Sequence, residues 1–299
     1  MIHITVPATS ANIGAGFDSL GLALNLQNEI YMEEWDGPAI SSRDGRPVPT
    51  GEDNLIYRTA KALYQRVGRP FRGLRIEQVN NIPMTRGLGS RSACIVGGLL
   101  GANTLLGEPL ARDELVDMAA HLEGHPDNST PAILGGFVSA VLEEEHVYYV
   151  KKELDEGMHF AAFIPNFSLS TEVARAALPP QVSHKDAVYN LSRAALMATS
   201  ICTGKLENIR VAAGDRLHQP YRLGLIEGGQ RVFDIAYECG ALAVFVSGAG
   251  PTILALVDAQ NAAFGDRAAA LLQAQRETRA FELVKLRPDN QGATVRVCE

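Results

Sequence analysis

Apolar side chains alternate at Ile2, Ile4 and Val6, which predicts a strand over residues 2–6. A polar segment with glycines follows at 7–18 and reads as a loop, and alternating apolar stretches over 20–35 predict further strands. Charges, glycine and prolines mark 43–53 as a loop. Leu55, Ala60, Leu63 and Val67 keep helical spacing over 54–67, and Leu74, Ile76 and Val79 mark a strand over 73–79. A tight loop at 87–90 leads into a helix over 92–106 that is apolar on most faces, so it is expected at the centre of the fold. A second helix over 112–122 ends in a turn at 123–128, and 135–143 with 147–152 predict a strand pair. Further on, strands are predicted at 159–165, 241–246, 252–257, 281–285 and 294–298. Helices are predicted at 171–177, 185–202, 206–213, 229–239 and 259–276. The mixed order of strands and helices favours an α+β fold.

At roughly 100–200 residues per domain, 299 residues suggest two domains, the second opening near the strand at 159–165. With 46% hydrophobic and 20% charged residues, there is ample material for a core. A net charge of −7 argues against nucleic acid as a partner. The most apolar stretches, 93–105 and 241–257, are broken by glycine, asparagine or proline, so no membrane span is expected. No basic segment followed by an apolar run marks the N-terminus as a secretory leader. The four cysteines are scattered without a CxxC, which indicates neither zinc nor a disulfide framework and fits a reducing cytoplasm.

Three glycine loops carry the candidate chemistry. Gly87-Leu-Gly-Ser-Arg-Ser92 runs into a helix, whose free N–H groups and dipole favour phosphate. Pro7-Ala-Thr-Ser-Ala-Asn-Ile-Gly-Ala-Gly-Phe-Asp18 packs hydroxyls, an amide and a carboxylate after a strand, and Ser247-Gly-Ala-Gly-Pro-Thr252 lies between two apolar strands. Each alone is equally a plain turn. There is no GxxxxGK[ST], because Gly204-Lys205 is followed by Leu206; GxGxxG, HRD and DFG are absent too.

Taken in order along the chain, the three loops resemble the three motifs of the GHMP kinases. Glu123-Gly-His-Pro-Asp-Asn128, Leu169-Ser-Thr-Glu-Val-Ala-Arg175, Asn190-Leu-Ser-Arg193 and His218-Gln-Pro-Tyr-Arg222 resemble segments of the homoserine kinases within that superfamily. The resemblance implies a two-domain α+β fold: an N-terminal nucleotide-binding domain (1–155) with a left-handed βαβ unit, and a ferredoxin-like C-terminal domain (156–299). It implies transfer of phosphate from ATP, with Mg²⁺, to the side-chain hydroxyl of the small molecule L-homoserine, in threonine biosynthesis, by a cytoplasmic homodimer. Pro83, Arg86, Gly87, Leu88, Gly89, Ser90, Arg91, Ser92 and Ala93 then form the nucleotide loop, and Asn54 reaches the adenine. Glu123 holds the metal. Asn12, Asp18, His125, Arg175, Arg222 and Gly248 meet the substrate, the arginines taking its carboxylate. Asn128 stands where related kinases carry a catalytic aspartate, so with Glu123 and Asp18 it completes the catalytic set. An amide takes no proton near neutral pH, which leaves positioning as the main device and Asp127 as an alternative base.

One position departs from the pattern. The family's loop usually reads Gly-Leu-Gly-Ser-Ser, whereas here Arg91 follows Ser90. Arginine has no lone pair for a cation but can pair with phosphate oxygens. Three outcomes stay open: Glu123, waters and phosphates hold the metal alone; Ser92 supplies the missing hydroxyl; or ATP use is weakened and the chain is a non-catalytic paralogue. A kinase for another small hydroxy acid is a further alternative.

Overall fold

The computed structural model describes residues 1–155 and 157–298; residues 156 and 299, the expected ends of the second domain, lie outside the described residues. The chain opens with β1 (Ile2–Ala11), β2 (Leu20–Glu34) and β3 (Gly37–Ser42), then α1 (Leu55–Arg66) and β4 (Gly73–Val79). Three helices follow, α2 (Ser90–Leu105), α3 (Arg112–Glu123) and α4 (Pro126–Leu134), and then the hairpin β5 (Phe137–Glu143) and β6 (His146–Lys152). β1 pairs antiparallel with β2 and, at its other edge, with the last strand, β11 (Thr294–Val297). The resulting seven-stranded sheet runs β11-β1-β2-β4-β3, and β5 joins through the first residues of β2. β3 and β4 are parallel neighbours joined through α1, so they form a βαβ unit.

The remainder contributes β7 (His159–Pro165), α5 (Thr171–Ala176), α6 (His184–Thr203), α7 (Ile209–Ala212), α8 (Gln219–Leu223) and α9 (Gly229–Glu238). The hairpin β8 (Ala243–Val246) and β9 (Ile253–Val257), helix α10 (Phe264–Ala274) and β10 (Phe281–Leu286) complete the second sheet. Its order, β10-β7-β9-β8, with α9 and α10 as the crossovers, is the ferredoxin-like βαββαβ arrangement. β8 and β9 read as unbroken apolar runs because both faces are covered. Phe160, Phe245 and Leu254 face the large core shared with the first sheet. Phe163, Val246 and Ile253, one residue out of phase, pack with α9 and α10.

The central placement expected for the helix beginning near residue 92 holds. α2 is buried on most of its length and packs on α1 through Gly98, where a Cβ would stand 2.6 Å from the Ile56 carbonyl oxygen. Other expectations need correction. The segment 7–11 is strand rather than loop, paired with β2 beyond a bulge at Pro7 and Ala8. Its polar residues Thr9 and Ser10 are buried, not solvated. The turn expected at 123–128 ends α3 at Gly124 and starts α4 with Pro126, a residue suited to a first helical turn because it has no N–H to satisfy. β3 and α8 were not anticipated, and α10 is shorter than the predicted 259–276.

Because α1 and α2 touch through a residue without a side chain, Gly98→Val should destabilise the fold by about 1–3 kcal/mol through overpacking. Urea denaturation of the variant beside the wild type measures this, and an unchanged midpoint would contradict the close helix crossing.

Candidate active site

The three loops recognised in the sequence meet at one cleft, and main-chain hydrogen bonds hold them there. Thr9 N–H donates to the Leu88 carbonyl (3.1 Å), Gly248 N–H to Ala11 (3.1 Å) and Thr252 N–H to Arg86 (3.2 Å). Ser247 Oγ lies 2.6 Å from the Gly87 carbonyl oxygen and 2.8 Å from Ser10 Oγ. Gly87 and Gly89 both have positive φ, and a Cβ on Gly89 would stand 2.0 Å from Thr9 Oγ1. The turn needs glycine for its conformation and for the approach of β1. Gly89 is the N-cap of α2, so the first N–H groups of that helix open on the cleft beside Ser90, Arg91 and Ser92.

The loops border an open cleft of about 150 Å³. Asn12, Asp18, Glu123, His125, Asn128, Arg175, Arg222 and Gly248 all line it, as do Gly87 and Gly89 through Ser92. The other predicted residues stand elsewhere. Asn54 caps α1 by accepting from Ile56 N–H and Tyr57 N–H, and it donates to the Pro49 carbonyl, which commits its side chain. Arg86 spreads its guanidinium over the carbonyls of Met84, Pro165 and Asn166 and so ties the loop to the end of β7. Leu88 and Ala93 are core residues, and Pro83 lies in a separate surface hollow with Ile164 and Glu282. Thr9 carries no role in the sequence reading, and Asp127 only that of an alternative base. Thr9 Oγ1 donates to Asn128 Oδ1 (2.8 Å) and fixes that amide. Asp127 is buried and bonded to His125 Nδ1 at 2.5 Å. Burial acts to lower the His125 pKa, but the bond to Asp127 and the charges of Asp127, Asp18 and Glu123 outweigh it and leave the imidazole above its usual value.

The metal-ligand expectation is tested by two orphaned oxygens. Glu123 Oε2 and Ser92 Oγ are buried beside the phosphate-type loop, and neither has a hydrogen-bond partner. Ser92 neighbours the carboxylate without completing a bond to it. A carboxylate and a hydroxyl are hard oxygen donors and fit Mg²⁺, which keeps several of its waters. Arg91 does not point into this pair. It lies exposed on the rim, donates to the Leu122 carbonyl at the end of α3 (3.2 Å), and sets its Nε 3.6 Å from Glu123 Oε2. Burial pushes the Glu123 carboxyl above its ordinary pKa, with His125 and Arg91 opposing.

The cationic side of the cleft is divided. Arg175, from α5, is already paired: its two terminal nitrogens reach the Asp18 carboxylate at 2.7 and 3.1 Å. Arg222, from α8, is almost fully buried at 1% exposure, and among the described residues no carboxylate lies within ion-pair distance. Its Nη1 donates to the Gly248 carbonyl (2.9 Å) and meets His218 Nδ1 (3.2 Å), while its Nε has no partner. Burial and the nearby Arg175 bring its pKa down to about 10, which still leaves it charged at neutral pH. Asn12 closes this corner by donating to the Gly248 carbonyl and accepting from Asp18 N–H, with left-handed φ at Asn12 (71°) and Asp18 (54°). Backbone strain of this kind is tolerated where the surroundings fix it, as at ligand sites.

Two predictions follow from this geometry. Gly89→Ala should displace Thr9 and cut kcat/KM about 10²-fold while the protein stays folded, as circular dichroism and steady-state kinetics would show. For Glu123, a raised pKa means that the folded state favours the protonated form, so the ionised group weakens the fold at neutral pH. Glu123→Gln should therefore raise the Tm at pH 7–8, with the gain fading as pH falls towards the ordinary glutamate range. Added Mg²⁺ should raise the Tm of the wild type and not of the variant; the reverse pattern in calorimetry would remove Glu123 from the metal site.

Comparison with known proteins places the chain in a family. Residues 54–136 match the family model for the GHMP kinases N terminal domain, and residues 197–270 match that for GHMP kinases C terminal. A homoserine kinase of Caldicellulosiruptor bescii is 47% identical over 297 residues, which cover 99% of this chain and 97% of the relative. One from Clostridium beijerinckii is 46% identical over 298 residues, covering 99% and 98%. The crystal structure of homoserine kinase from Cytophaga hutchinsonii superposes with a TM-score of 0.87 at 27% identity, covering 99% of this chain and 97% of that one. With both GHMP domains matched and close relatives aligned over nearly its whole length, the chain belongs to the homoserine kinase family of the GHMP kinases.

Proposed function

We propose that the chain transfers the γ-phosphoryl group of ATP to the side-chain hydroxyl of L-homoserine, giving O-phospho-L-homoserine for threonine biosynthesis. The observation that carries this reading is the charge pattern of the cleft: a formed Asp18–Arg175 pair beside buried Arg222, which has no carboxylate within ion-pair distance among the described residues. A free amino acid is a zwitterion. Its carboxylate is drawn to Arg222 and Arg175, and its ammonium group to Asp18, so one internal ion pair gives way to a larger set of opposite charges. A neutral sugar offers neither charge, and a mevalonate-like acid offers only the anion. The same reading carries a cytoplasmic homodimer, with no nucleic acid and no membrane as partner.

The Gly87–Ser92 loop and the α2 N-terminus receive the nucleotide phosphates through backbone N–H groups. Glu123 and Ser92 Oγ would hold Mg²⁺, which supplies positive charge against the phosphoryl oxygens when bound. Arg91 stands at the rim with its Nε 3.6 Å from Glu123 Oε2, and it would exchange that carboxylate for a phosphate oxygen once the metal is bound. Asn128, fixed by Thr9, orients the attacking hydroxyl without taking its proton. Asp127 is committed to His125 and buried, so the proton leaves late, to phosphate or water. Such a step needs orientation more than a strong base, because the phosphoryl transition state is loose.

A coupled ADP-release assay with homoserine, threonine and serine tests the proposal. Homoserine should give the highest kcat/KM. Arg175→Ala and Arg222→Ala should each raise the homoserine KM about tenfold or more and leave the ATP KM within about threefold. Arg91→Ser should remain active. ADP release that ignores all three amino acids, or that begins only once Arg91 is replaced, would overturn the proposal in favour of another acceptor or a non-catalytic wild type.

A further inference from the structure

Arg222 is held by a side chain that never touches the cleft. His218 begins the turn that carries Arg222, is fully buried, and does not line the site. Its Nε2 lies 2.7 Å from the Gly14 carbonyl oxygen, and its Nδ1 lies 3.2 Å from Arg222 Nη1. A carbonyl only accepts and a guanidinium only donates, so the bonding fixes one neutral tautomer: Nε2–H donates to Gly14 and Nδ1 accepts from Arg222. Burial lowers the His218 pKa, in keeping with that state. Asp215 lies 3.6 Å from Nε2, but its carboxylate is occupied by Asn190 Nδ2 and by the N–H groups of Leu217, His218 and Gln219. The imidazole therefore stays in its bond to Gly14.

We infer that His218 is a positioning residue for substrate recognition: it gives the buried Arg222 guanidinium a neutral acceptor and thereby keeps its charge available for the substrate carboxylate. A carboxylate at position 218 would hold the arginine equally well but would neutralise it in advance, as Asp18 does for Arg175. A neutral acceptor orients the cation without competing for it. The bond to Gly14 also ties this support to the first glycine loop, whose Asn12 shares the Gly248 carbonyl with Arg222. Phe17 completes the holder, with its ring centroid 5.2 Å from both the His218 ring and the Arg222 guanidinium carbon.

The inference rests on the proposed amino-acid substrate, and the test separates the two. Homoserine affinity is measured by calorimetry for wild type, His218→Leu, His218→Asn, Arg222→Leu and the Arg222→Leu/His218→Leu double variant, alongside steady-state kinetics and Tm. Leucine fills the space without polar atoms, whereas asparagine places an amide oxygen near the Nδ1 position. His218→Leu should weaken homoserine binding about tenfold, with kcat and the ATP KM within about threefold of wild type. His218→Asn should restore the affinity to within about threefold. In the Arg222→Leu background, His218→Leu should add less than about twofold, because residues acting through one contact are not additive. Equal losses in His218→Leu and His218→Asn, additive losses in the double variant, or a fall in kcat and ATP affinity matching that for homoserine would overturn the positioning role and leave a structural one. A wild type that binds no homoserine would overturn the substrate reading itself, and this inference with it.

Discussion

The backbone junction of three glycine loops is the constraint on which the rest depends. Thr9 N–H on Leu88, Gly248 N–H on Ala11 and Thr252 N–H on Arg86 bring three distant stretches of chain to within hydrogen-bond length. Main-chain bonds of this kind require main chains that approach without side chains between them, which is why glycine stands at positions 87 and 89, while Gly248 answers to its positive φ of 56°. The two sheets serve this junction: β1 delivers the first loop, the β8–β9 hairpin delivers the third, and the N-terminus of α2 is set between them. A phosphate site made from backbone N–H groups is as rigid as the scaffold that carries it, which suits a reaction governed by orientation.

Electrostatics divide the cleft by degree of prior pairing. Asp18 and Arg175 satisfy each other, as do His125 and Asp127, and Arg91 partly offsets Glu123 from outside. Among the described residues Arg222 has only neutral hydrogen-bond partners, and it lies deep in the protein. A buried cation without an anion is costly in the empty site, and that cost is relieved only by a ligand that brings a negative charge. Glu123 Oε2 and Ser92 Oγ show the same logic with the sign reversed, as buried oxygens without a hydrogen-bond partner among the described residues, where a cation is expected. Groups that weaken the ligand-free fold are here the groups to which the proposed function gives ligands.

Much of this was legible in the sequence, and the failures have physical causes. Alternation and helical spacing located most elements, because burial on one face leaves a period. The loops were legible because glycine, proline and short polar side chains mark unusual backbone. Residues 7–11 were misread because Thr9 and Ser10 look like loop residues, yet their hydroxyls are buried and spent on Asn128 and Ser247. Residues 37–42 carry little apolar pattern and became a strand through parallel pairing with β4, a non-local contact that no local window reveals. Arg86 borders the second glycine loop and Asn54 precedes α1, but in this structure their side chains are spent on holding the backbone. His218 was visible only as a letter in a motif; its role depends on Gly14, 204 positions away.

The central claim is that the cleft selects an alcohol that also carries an α-carboxylate. The most direct measurement compares kcat/KM for homoserine with that for 3-aminopropan-1-ol, which keeps the amine and the hydroxyl and lacks only the carboxylate. With Arg222 reserved for that group, a preference of about 10²-fold or more for homoserine is expected. Comparable kcat/KM values for the two alcohols would contradict it.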